Sequence, residues 1–113
     1  MTRLVTRRTV LRRFGLSGQV LDRLEELELL VPVRRPGRPK AYHPEDLDQV
    51  RVWCLLVEEL EVNPAGAEII LQLRSRVMSL HRVLRRLLES IRDEQASAQI
   101  RRLLDDLLDD SWD

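Results

Sequence analysis

The chain has 113 residues, room for one small domain, or for a small domain and one long helix. Apolar residues make up 43% and charged residues 34%, a globular balance; aromatics, at 4%, are too scarce for the stacking platforms that hold single-stranded nucleic acid. The single cysteine, Cys54, excludes an internal disulfide, and with only His43 and His81 beside it a standard zinc cage cannot be assembled.

Apolar runs are only a few residues long and no charged stretch leads into an apolar signal core. This predicts a cytoplasmic protein without a membrane span. Net charge is zero, but it is divided unevenly. Residues 1–43 hold ten Lys/Arg and four Asp/Glu, giving +6; residues 44–113 hold nine and fifteen, giving −6. A basic front half suits a phosphate backbone or an acidic partner.

In chain order, Leu4 and Val5 suggest a short arm or edge strand. Val10, Leu11 and Phe14 are at helical spacing over residues 9–14, with Gly15 as the C-cap. Ser17 is placed to cap a second helix over residues 18–30, striped by Val20, Leu21, Leu24 and Leu27. Two short helices across a Gly-containing turn read as helix-turn-helix. Residues 32–44 carry four prolines and Gly37, and Val31-Pro-Val33 is positioned to pair with Ala41-Tyr42 as a small wing.

The next helix opens at His43-Pro-Glu-Asp-Leu47, with His43 as its cap. Its buried face is Leu47, Val50, Val52, Trp53, Leu56, Val57 and Leu60, and it ends before Pro64. Leu21, Leu24 and Leu27 complete the expected core.

From Ala65 a long helix is predicted. Ile70, Leu73, Val77, Leu80, Leu84, Leu87 and Ile91 step by three and four as a heptad seam, which fails through residues 93–97. Helicity resumes in Ile100, Leu103, Leu104, Leu107 and Leu108. The seam calls for a partner helix, naturally in a homodimer; an intramolecular hairpin with residues 100–108 is the alternative. Asp105, Asp106, Asp109 and Asp110 lie towards a helix C-terminus, the unfavourable end for anions. Trp112 either docks on a partner helix or frays. The expected division is residues 1–64 and residues 65–113.

The order of these elements resembles the MerR superfamily, from about Val5 to Leu80. The motifs that carry the likeness are Gly15-Leu-Ser17, Leu27-Glu-Leu-Leu-Val-Pro32, Ala41-Tyr-His-Pro-Glu-Asp-Leu47 and Leu60-Glu-Val-Asn-Pro-Ala-Gly-Ala-Glu-Ile-Ile-Leu71. The last is similar to a Gly-Val-Asn-Leu-Ala-Gly-Val pattern in two branches. One is the DNA-binding heat-shock repressors; the other is the CbpM-like modulators, which bind the J-domain of a DnaJ-like co-chaperone. The resemblance implies an all-α fold, a MerR-like winged helix-turn-helix with a long C-terminal dimerisation helix.

The second helix separates the branches. DNA-binding members carry Thr-Leu-Arg and an aromatic pair there, where this chain has Val20-Leu-Asp-Arg-Leu-Glu-Glu26. Asp22 stands at the family's arginine and Leu24 replaces an aromatic. Carboxylates at Asp22, Glu25, Glu26 and Glu28 would repel phosphates, which supply much of DNA affinity. The departure favours the CbpM-like reading: a non-enzymatic regulator whose Asp22, Glu25, Glu26 and Glu28 dock a basic J-domain surface, oriented by Arg23. In the alternative, a transcriptional regulator binding operator DNA as a homodimer, Arg7, Arg8, Arg12, Arg13, Arg34, Arg35, Arg38 and Lys40 flank the duplex.

No Gly-rich phosphate loop, Ser/His/Asp set or His-Glu-x-x-His motif is present, and no cofactor or metal is expected. Cys54, beside Trp53 in an apolar run, reads as core packing rather than as a redox or metal-sensing site.

Overall fold

The computed structural model describes residues 3–91 and 94–109. It is mostly helical, as an all-α chain should be. In order come β1 (Val5–Thr6), α1 (Arg7–Phe14), α2 (Gly18–Glu26), β2 (Ala41–Tyr42), α3 (Asp48–Cys54), α4 (Pro64–Ser90) and α5 (Glu94–Asp109). A 3-10 turn, Pro44–Leu47, leads into α3, and a π-helical turn, Leu55–Glu59, leaves it. No described helix is long and apolar enough to cross a membrane.

Local sequence explains most boundaries. Thr6 caps α1 by accepting from the Thr9 amide, which starts the helix earlier than the apolar spacing suggests, and Gly15 closes it in the left-handed conformation at φ 63°. Ser17 caps α2 by accepting from the Val20 amide. α2 stops at Glu26 instead of running on to residue 30. Glu28 turns left-handed at φ 59°, Leu29 N–H donates to the Leu24 carbonyl, and Glu28 N–H donates to that of Glu25, both at 3.0 Å. This is a Schellman closure, sealed by burial of Leu24 and Leu29.

Val33 and Ala41 exchange backbone hydrogen bonds of 2.7 and 3.2 Å across the proline-rich loop. β1 joins the other edge of β2 antiparallel, with Val5 opposite Tyr42 and Thr6 opposite Ala41. The Arg7 amide then donates to the Lys40 carbonyl at 3.1 Å, so α1 begins where the loop ends.

Leu21, Leu24, Leu47, Val50, Trp53 and Leu56 are buried as expected, while Leu27 is only partly buried. Leu60 is not a core residue: it is 60% exposed. The π turn adds a residue to the helical period after Cys54, and Glu61 at φ 56° ends the segment, so the α-helical spacing that pointed Leu60 inward no longer applies. His43 occupies the N-cap position of the following turn but makes no capping side-chain hydrogen bond.

α4 starts at Pro64, where Asn63 Oδ1 accepts from the Gly66 amide at 2.7 Å. Its opening turns bury Ala67 and Leu71 in the core. One turn on, Arg74 holds Asp48 Oδ2 at 2.6 Å and Gln49 Oε1 at 3.1 Å. The chain accordingly divides into two compact units between Ser75 and Arg76, inside α4, whereas the sequence places a division at 64/65.

In the second unit the end of α4 and α5 form a helical pair. Helicity resumes at Glu94, earlier than the failed heptad suggests, and Ser97 Oγ donates to the Ile91 carbonyl at 3.3 Å. Leu88 is buried. Asp105 and Asp106 are exposed; Asp110, Trp112 and the side chains of Leu108 and Asp109 lie outside the described residues.

Candidate functional site

α2 is amphipathic, with Leu21 and Leu24 fully buried on one side. A 100° step per residue then sets Asp22, Arg23 and Glu26 outward and Glu25 at the flank. The structure follows that arithmetic. Asp22 and Glu26 side chains are 57% and 66% exposed, and Glu28 is exposed just beyond the helix end.

Glu25 departs from the expected docking set. Its side chain is only 11% exposed and serves as a structural hub. Oε1 accepts from Lys40 Nζ at 3.2 Å, and Oε2 from Arg7 Nη1 and the Tyr42 hydroxyl, each at 3.3 Å. Arg7 also reaches Asp22 at 2.9 Å and the Gly18 carbonyl at 3.2 Å. A methyl on Gly18 would stand 3.1 Å from Arg7 Nη2, so the absent side chain makes room for that approach. Burial first, then the Glu25 charge, push the Tyr42 hydroxyl pKa up.

Arg7 and Lys40, expected among the nucleic-acid contacts, are thus held within the fold by acids of α2. The cause is register: the Arg7–Lys40 backbone bond sets both side chains beside the Glu25 flank. Arg8, Arg12, Arg13, Arg34 and Arg38 are exposed, and among the described residues no carboxylate pairs with them. Arg35 is half-buried and reaches the Pro39 carbonyl at 3.5 Å.

Arg23 is the one cation on the outer face of α2 and is engaged on two sides. Nε and Nη2 meet Glu68 Oε1 at 3.0 and 2.9 Å, and Nη1 meets Glu26 at 3.1 Å. The hydrogen bond to Glu68, then that to Glu26, raise its pKa further above the ordinary guanidinium value. Glu68 and Tyr42 were not legible as partners of α2. Glu68 lies forty-odd residues away in sequence, and Tyr42 reads there only as a strand residue.

The heptad positions stay open. Ile70, Leu73, Leu80, Leu84 and Leu87 are exposed, and Val77 and Ile91 partly so. The second unit has a cleft lined by His81, Arg85, Leu88, Arg101, Leu104 and Asp105, in which Arg85 Nε donates to His81 Nε2 at 2.7 Å. Among the described residues no group of three His, Cys, Asp or Glu is placed to hold a metal ion. Burial, then Glu58, push the Cys54 thiol pKa up, which makes it a weaker nucleophile near neutral pH.

No protein-family model matches the sequence, and no curated protein or solved structure does either.

Proposed function

We propose that the chain is a cytoplasmic, non-enzymatic regulator of the CbpM-like kind. Its front unit is a MerR-like winged helix-turn-helix that binds the J-domain of a DnaJ-like co-chaperone and limits its use of Hsp70. The observation that carries this reading is the outer face of α2. There Asp22 and Glu26 keep more than half of their side chains exposed, Asp22 while also bonded to Arg7, Glu28 extends the acidic edge, and Arg23 is already engaged by Glu26 and Glu68. Such a surface suits a basic helix and opposes a phosphate backbone. The exposed heptad positions of α4 support a homodimer, with α4 as the long dimerisation helix.

Calorimetric titration of the J-domain into the full chain tests the reading. Glu26→Lys and Glu28→Lys are the informative variants because both residues are exposed, whereas Glu25 and Asp22 hold Arg7 within the fold. Each is expected to weaken binding about tenfold, the value of one well-placed charge pair. An absence of heat with the wild-type chain refutes the J-domain reading.

A second reading, operator DNA, is favoured by Arg8, Arg12, Arg13, Arg34 and Arg38, which are exposed and meet no carboxylate among the described residues. On that reading, replacing Arg34 and Arg38 by alanine lowers the salt slope of DNA binding by about 0.9 for each phosphate no longer neutralised. An unchanged slope removes the wing from the interface.

A further inference from the structure

α4 from Arg76 onward and α5 pair through one edge of each helix. His81, Arg85 and Leu88 line the cleft from α4, and Arg101, Leu104 and Asp105 line it from α5. Nearer the connection, Leu88, Glu89 and Ile91 lie with Glu94, Ser97 and Ala98. The order is reversed between the helices, so they run antiparallel.

The apolar residues left outside sit in a regular relation to that edge. On α4, Leu80, Leu84 and Leu87 immediately precede His81, Arg85 and Leu88. On α5, Ile100 and Leu103 immediately precede Arg101 and Leu104. Each stripe is therefore turned about 100° from its inner edge, in the same rotational sense. Because the helices are antiparallel, equal rotations about their own axes bring both stripes out on the same side of the hairpin. The exposures agree: Leu80 is 63% exposed, Leu103 64% and Leu107 69%, and Val83, Leu84, Leu87 and Ile100 are exposed too.

We infer that this two-stripe face is covered by the same face of a second copy, so that two hairpins close a four-helix bundle with α4 against the second copy's α5. This deepens the homodimer reading and rests on it, but replaces a two-helix seam by a bundle in which α5 is an equal participant.

Area and charge both point to a second copy. The exposed apolar side chains of the hairpin offer on the order of 700 Å², close to the share one partner brings to a standard stable interface of about 800 Å². A contiguous apolar face of that size is larger than a soluble monomer ordinarily exposes. Residues 76–90 carry four arginines and one glutamate, a net +3; residues 94–107 carry two arginines and three acids, a net −1. Pairing α4 with α4 would set cation against cation, whereas α4 against α5 sets opposite signs together. A two-fold axis then makes that favourable pairing twice.

Sedimentation equilibrium of the full chain decides it. The wild-type chain is expected to be a dimer, and Ile100→Glu/Leu103→Glu is expected to raise the dimer dissociation constant on the order of a hundredfold or more, as Leu80→Glu/Leu84→Glu does on α4. Far-UV circular dichroism checks that the helices persist; if the glutamates unwind α5, Ile100→Ser/Leu103→Ser gives the same readout. A dimer that survives the α5 substitutions and is split by the α4 pair overturns the bundle and leaves the two-helix homodimer standing. A wild-type chain that stays monomeric at about 100 µM overturns both, because a well-matched interface of this size holds at concentrations far below that.

Discussion

Removing the Glu25 carboxylate breaks three interactions at once, and they are not of equal weight. The Tyr42 residue is fully buried, so in Glu25→Ala its hydroxyl keeps no acceptor, a loss of about 1–3 kcal/mol. Arg7 and Lys40 side chains retain 26% and 34% exposure. Water therefore replaces much of what they lose, and each pair contributes at most about 1 kcal/mol. The sum is about 3 kcal/mol for Glu25→Ala. Glu25→Gln keeps an acceptor for Tyr42 and gives up only the charge, a cost of about 1 kcal/mol.

Urea unfolding followed by circular dichroism measures both. With an m-value of about 1.5 kcal/mol/M, alanine shifts the midpoint down by about 2 M and glutamine by well under half of that. A midpoint unchanged by Glu25→Ala refutes the hub, and equal damage from the two variants refutes the weight given to the tyrosine. Substitution at Glu25 in a binding assay accordingly reports on the fold, not on docking.

Three further outcomes follow from local geometry. Tyr42 is the only tyrosine and burial raises its pKa, so phenolate absorbance should appear above the ordinary value near ~10. Between that value and the folded one the native state binds the extra proton, so stability is intact below pH ~10 and declines as pH rises further. Glu61→Gly should raise stability by about 1 kcal/mol, because φ 56° strains a residue with a Cβ; a lower urea midpoint would contradict the strain. Asn63→Ala should cost about 1 kcal/mol through loss of the Gly66 amide's acceptor, and Asn63→Asp should recover it in the same melts.

Much of this architecture was legible in the chain because the signals were short-range. Gly15, Ser17 and the Asn63-Pro64 pair act within a single turn, and the pairing of Val33 with Ala41 follows from two β-prone stretches either side of a proline-rich loop. What was not legible depended on non-local register or on unusual backbone. Glu28 and Glu61 adopt a conformation that glycine or asparagine usually marks, so nothing announced that α2 would stop at Glu26 or that Leu60 would turn outward. α4 has two apolar stripes. The more regular heptad dominates the pattern, while Ala67 and Leu71, the pair that anchors the helix in the core, belong to the other. For the site, the exposure of Asp22 and Glu26 could be read from helical phase. The withdrawal of Glu25, Arg7 and Lys40 into one another could not, because it depends on the strand pairing that brings residue 40 beside residue 7.

That mutual withdrawal also constrains how the sequence can vary. Installing arginine at position 22 would set a second guanidinium beside Arg7, which now spans Asp22 and Glu25. The change would loosen the hold of Arg7 on the Gly18 carbonyl as well as adding a charge. Positions 7, 22 and 25 therefore form one unit of substitution, and a route between an acidic and a basic α2 has to cross it with at least two residues changing together.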